Sequence, residues 1–215
     1  MQYQIAVVVG SLRQESLNKK LADALCKLAA PEFSFKQLSI GDLPLYDQDD
    51  DKSQAAAVKQ LKSDIQASQG VLFVTPEYNR SIPGVLKNAI DHASRPYGDS
   101  AWAGKPAGVL GVSVGAIGTA LAQQHLRTVL AYLDMPTLGQ PEAFIQMKDG
   151  LFDASGAVGE GSRKFLLRLL DRMTQVFEGR EFRRPLLHLR AALGGQLGEH
   201  LFKISWHVVF PFVQQ

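Results

Sequence analysis

The sequence predicts one α/β domain built on a doubly wound, five-stranded parallel sheet, with an unassigned C-terminal tail after it. Three observations predict this. Short apolar runs alternate five times with longer segments of helical periodicity, as repeated βαβ units do. Two of the runs, 5–9 and 70–75, are apolar almost without interruption, as strands buried on both faces are. Polar and glycine residues concentrate directly after strands one, three and four, the ends at which open parallel sheets bind ligands. Right-handed crossovers then permit the strand order 2-1-3-4-5, which brings those three loops to one edge.

Taken in order, Ile5 to Val9 form the first strand, which breaks at Gly10. The helix after it carries Leu17, Leu21, Leu25 and Leu28 at helical spacing and stops near Pro31. Residues 33–40 alternate imperfectly, as an edge strand does. The loop GDLPLYDQDDD follows; its acids lack the spacing, glycine and terminal Glu of a calcium loop, so it reads as a solvated acidic loop. Residues 55–68 form the second helix and 70–75 the third strand. Pro83 suits the first turn of the third helix, which runs through Leu86, Ile90 and Ala93. Residues 105–113 form the fourth strand, followed by a long helix to about Leu133. A fifth strand near 143–147 and a last helix from near Gly161 to Val176 complete the alternation. The domain is therefore expected to span 1–177. Residues 178–215 mix basic residues, a Gly-Gly pair and an apolar end; they read as an atypical extension, whether a short amphipathic helix, a disordered tail or a partner-binding segment.

Composition narrows the function. A chain of 215 residues suffices for one sizeable core. A net charge of +2 without a long Lys/Arg tract argues against a dedicated nucleic-acid surface. The single cysteine, Cys26, cannot form an internal disulfide, which points to a reducing, cytoplasmic compartment. The N-terminus shows no basic leader, and no run of about 18 apolar residues exists to span a membrane.

The turn after strand one holds Ser11, Arg13, Ser16 and Asn18. A strand feeding a helix presents free N–H groups and the positive end of a helix dipole, and Arg13 adds a planar fork of donors. That combination suits a phosphate. The same residues also serve an ordinary βα turn in which Ser and Asn only cap. No Gly-Lys pair follows Gly10, which excludes a Walker A loop, and two of the three glycines of the dinucleotide fingerprint are missing. The loop after strand three, Pro76-Glu77-Tyr78-Asn79, is dense in polar and aromatic groups; the turn after strand four carries Ser113, Gly115 and Gly118. His92 and His125 fall within helices and read as structural, and no Cys/His cluster suits zinc.

Together these loops resemble the NADPH-dependent FMN reductase family, the flavodoxin-like quinone, chromate and azo-dye reductases. The pattern G-S-x-R-x-x-S-x-N is met by Gly10, Ser11, Arg13, Ser16 and Asn18; P-E-Y-N-x-S-x-P-G is complete from Pro76 to Gly84; and a Ser with a Gly-rich turn is met by Ser113, Gly115 and Gly118. The resemblance implies FMN held by its phosphate at Ser11, Arg13, Ser16 and Asn18. It implies an isoalloxazine lined by Pro76, Glu77, Tyr78 and Asn79, with Ser113 and Gly115 at its other edge. It further implies NADPH or NADH as co-substrate, a small-molecule electron acceptor, and a homodimer or homotetramer. Because a flavin carries the redox chemistry itself, no catalytic side chain is needed, and hydride transfer is expected to follow a ping-pong pattern. The alternative on the same fold is a non-enzymatic flavodoxin-type electron carrier. A receiver-type signalling domain would need paired acids where Val9-Gly10-Ser11 stands.

Overall fold

The computed structural model describes residues 3–177; the expected C-terminal extension, with His188, His200 and His207, lies outside the described residues. Strands and helices alternate as β1 (Tyr3–Val9), α1 (Leu17–Leu28), β2 (Phe33–Gln37), α2 (Ala56–Ala67), β3 (Gly70–Val74), α3 (Gly84–Ala93), β4 (Ala107–Ser113), α4 (Ala120–Tyr132), β5 (Phe144–Gln146) and α5 (Glu160–Phe177). The sheet order is β2-β1-β3-β4-β5 and every pairing is parallel. This is the flavodoxin-like order that the sequence predicts.

The alternation of side chains along each strand divides the core into two layers. From β1, Ile5, Val7 and Val9 face one way and join Leu21 and Leu25 of α1 with Leu166, Leu169 and Met173 of α5. Ala6 and Val8 face the other way and join Leu61 and Ile65 of α2, Leu86 and Ile90 of α3, and Leu126 and Leu130 of α4. Helices therefore cover both faces, which explains why β1 and β3 carry no polar residue between Ile5 and Val9 or between Val71 and Val74.

Several boundaries differ from expectation. β2 ends at Gln37; Leu38 and Ile40 are buried beyond it, in the second of those layers. Pro83 is the N-cap of α3, one residue before its first turn. The acidic loop contains a 3-10 turn, Gln48–Lys52, capped by the Asp47 carboxylate, and no cluster among the described residues could hold a metal ion. Trp102, read as a loop residue, is fully buried: its indole N–H donates to the Ile90 carbonyl at 3.0 Å and its ring lies 5.7 Å from that of Phe73. No helix among the described residues is long and apolar enough to cross a membrane.

Candidate active site

The three ligand-like loops leave the sheet side by side. Gly10 N–H donates to the Val74 carbonyl at 2.9 Å, and Thr75 N–H donates to the Leu110 carbonyl at 3.0 Å. β1, β3 and β4 thus end one ladder step apart, about 5 Å between neighbours. Gly10 has to be small here. A Cβ on it would lie 2.8 Å from Thr75 Oγ1 and 3.2 Å from Leu86 Cδ2.

The turn after β1 is rich in donors. Ser16 caps α1, its hydroxyl accepting from Lys19 N–H at 3.2 Å, so its own proton can still be donated. Ser11 is half-buried and Arg13 is exposed. The Arg13 guanidinium forms no hydrogen bond or ion pair among the described residues. Glu15, beside it, is paired with Lys20 at 2.6 Å, which lowers its pKa with a smaller contribution from Arg13. The N–H groups of Leu12, Gln14, Glu15 and Leu17 also have no acceptor among the described residues. Cationic and N–H donors without acceptors, at the start of a helix, fit a phosphate group.

Asn18 belongs to the same turn but is only 3% exposed. Its amide nitrogen donates to the Val112 carbonyl and its amide oxygen accepts from the Val112 N–H, both at 2.9 Å. The pair fastens the start of α1 to the end of β4.

The loop after β3 is a tight hairpin. Tyr78 and Ser81 exchange two backbone hydrogen bonds of 3.0 Å, and the residues between them, Asn79 and Arg80, have φ of 51° and 65°. Two positive φ values in succession make the type I′ geometry, for which Asn at the first position is favoured. Glu77 turns toward α4. One carboxylate oxygen accepts from the N–H groups of Leu121 and Ala122 at 3.0 and 3.1 Å. α4 has no side-chain cap of its own at Thr119, so Glu77 supplies the missing acceptor and a negative charge at the positive end of the helix. Ser81 Oγ bonds His125 Nδ1 at 2.7 Å. His125 is therefore an exposed partner of this loop, not a core residue; the sequence signal for it is its place on the second turn of the helix after strand four. His92 is buried, with Nε2 on the Pro44 carbonyl at 2.9 Å, as a structural histidine.

After β4, Gly115 N–H donates to Ser113 Oγ at 3.0 Å. Gly118 has φ +65°, and a Cβ on it would lie 2.6 Å from the Phe144 carbonyl carbon; both facts require glycine. This turn exposes Val114 and Ile117, while Leu12 and Tyr78 are exposed on the other two loops. The sequence signal for Leu12, Val114 and Ile117 is an aliphatic side chain in a polar loop at a strand's C-terminal end. The structure thus places Pro76, Glu77, Tyr78, Asn79 and Gly115 on the loops after β3 and β4, and Ser113 at the last position of β4, at strand ends beside the Ser11–Ser16 turn. Cys26 lies half-buried on α1, away from these loops; burial, helped by the Asp23 charge, pushes its thiol up to about 11.

Comparison with known proteins places the chain in a family. The model of the NADPH-dependent FMN reductase family matches residues 3–149. The chain is 54% identical over 173 residues to a 2-hydroxy-1,4-benzoquinone reductase of a Burkholderia species, covering 80% of this chain and 94% of that protein. Its structure is similar to the flavoenzyme NAD(P)H:(acceptor) oxidoreductase of Paracoccus denitrificans, with a TM-score of 0.79 and 46% identity over 82% of this chain and 97% of that one. A flavodoxin of Pseudomonas aeruginosa, at 16% identity and a TM-score of 0.54 over 80% of this chain and 99% of that one, shares the fold. The chain belongs to the NADPH-dependent FMN reductase family and is an FMN-dependent oxidoreductase that uses NAD(P)H.

Proposed function

We propose that the C-terminal edge of the sheet holds FMN and passes electrons from NADPH or NADH to quinone-like small molecules. The observation that carries this reading is the convergence of three loops, one of them a donor-rich turn, at neighbouring strand ends. Ser11, Arg13 and Ser16, with the free N–H groups of their turn, hold the phosphate. Asn18 sets the geometry of that turn through Val112. Pro76, Glu77, Tyr78 and Asn79 line one side of the isoalloxazine; Ser113 and Gly115 line the other, and Leu12, Val114 and Ile117 exclude water around it. Bound FMN supplies the two-electron redox chemistry, which no side chain here could provide. The protein's part is to bind, orient and exclude water, and no nucleophile or proton relay is required of it.

The overall reaction balances simply. NAD(P)H gives up a hydride, and a quinone gains two electrons and two protons, one of them from solvent. Donor and acceptor use the same open edge in turn, which suits a ping-pong pattern. The one cysteine has no disulfide partner, which fits a reducing, cytoplasmic setting. Exposed Leu45, Tyr97 and Tyr132 offer apolar surface for a homodimer or homotetramer. Residues 1–177 are the reductase domain in this reading, and 178–215 an appendage to it.

The test is direct. The purified chain should show an oxidised-flavin spectrum, release FMN on denaturation, and oxidise NAD(P)H steadily with a benzoquinone. Parallel initial-rate lines are expected; intersecting lines would mean that donor and acceptor bind together. Flavin binding without steady oxidation would make the chain an electron carrier.

A further inference from the structure

We infer that Arg80 selects NADPH over NADH by pairing with the 2′-phosphate of its adenosine half. The inference rests on the reading that flavin and reductant share the C-terminal edge. Three observations carry it.

The guanidinium is largely uncommitted. Its side chain is 65% exposed, and its ion pair with Glu77 is a long 3.9 Å. The other oxygen of that carboxylate is engaged by the N–H groups of Leu121 and Ala122, so much of the Glu77 charge serves the end of α4. The backbone is also unusual. Arg80 holds φ +65° at the second central position of the hairpin, where glycine is strongly favoured. An arginine there holds an unfavourable conformation, and such conformations concentrate at functional positions. Finally, the hairpin is fastened at both shoulders, by Glu77 to the first turn of α4 and by Ser81 to His125 at 2.7 Å. The tip therefore presents its charge from a fixed base, which reduces the entropy lost on pairing.

The chemistry of the reductant selects the partner. The nicotinamide has to reach the redox ring at the strand ends, so the adenosine half runs outward. The tip of the hairpin is the part of this loop remote from the strand ends. NADPH and NADH share the diphosphate and differ by one phosphate monoester. A planar guanidinium matches such a group bidentately, and arginine accommodates the same 2′-phosphate in dinucleotide-binding folds.

The test is calorimetric titration of NADP+ and NAD+ into FMN-loaded wild type, R80Q, R80K and R80G, at low and high salt. The preference for NADP+ is expected to fall about tenfold in R80Q. It should fall as far in R80G, whose melting temperature rises as the turn relaxes, and less in R80K. The wild-type preference should itself shrink as salt rises. Equal weakening of both nucleotides in R80Q would assign the guanidinium to the shared diphosphate and overturn the inference. So would an unchanged ratio, or a wild type without a preference. These are equilibrium readouts, independent of turnover. If the loaded wild type oxidises neither NADPH nor NADH, the functional reading fails, while the titrations still decide whether Arg80 reads the extra phosphate.

Discussion

Arg13 and Asn18 lie five residues apart in one turn and act in different ways. Arg13 projects from an exposed position a guanidinium without a partner among the described residues, whereas Asn18 is buried and bonded to Val112 through both ends of its amide. The electrostatic role proposed for Arg13 has a sharp test. Arg13→Ala should weaken FMN binding by about 1.5–3 kcal/mol, the range for hydrogen bonds to charged groups. Riboflavin, which lacks the phosphate, should bind both proteins almost equally. Equal losses for the two flavins would make Arg13 a support of the fold. Fluorescence titration of apoprotein reads both affinities.

At the scale of elements, the edge is held together by side chains that cross between loops and helices. Asn18 ties α1 to β4, Glu77 caps α4 from the loop after β3, and Ser81 bonds His125 on the same helix. Each crossing satisfies backbone or ring groups that the elements leave unpaired. Asn18→Ala leaves a buried N–H and C=O of Val112 without partners. It should lower stability by about 2 kcal/mol or more, read from urea denaturation with an unchanged slope. FMN affinity should fall with it, because the turn that carries Ser11 and Ser16 loses its anchor. A variant as stable as wild type would mean that water replaces the amide.

For the whole molecule, the complete βα alternation and all three loops of the edge lie within residues 3–177. The match to the Burkholderia reductase takes in 94% of that protein with 80% of this chain, and the family model matches residues 3–149. Ending the chain at Glu178 should therefore give a protein that folds, binds FMN and oxidises NAD(P)H. Light scattering should then show whether subunit association depends on the removed leucines, since apolar residues either bury against something or leave an adhesive patch. Failure to fold or to hold flavin would show that residues 178–215 complete the core.

Periodicity and local chemistry were enough to read the order of elements. Continuous apolar runs at 5–9 and 70–74 can only be buried on both faces, and turn residues follow each strand end. The donor-rich character of the turn after strand one is legible too, because its donors are close in sequence. What crosses between distant segments is not. Asn18 meets Val112 across 94 residues, Glu77 meets Leu121 across 44, and the indole of Trp102 closes on Ile90 inside the core. Nothing local to Asn18 says that its amide is buried, because burial depends on which strand lies against that turn. Nor does the Asn79-Arg80 pair announce two positive φ angles, since arginine is not the residue that such a turn favours. The sequence by itself determined the alternation of strands and helices, the strands buried on both faces and the donor-rich turn, and it permitted the strand order that the structure shows. Only the tertiary structure decided which of the turn's polar groups face outward and which are consumed in holding the edge together, because hydrogen-bond partners distant in the chain are chosen by packing.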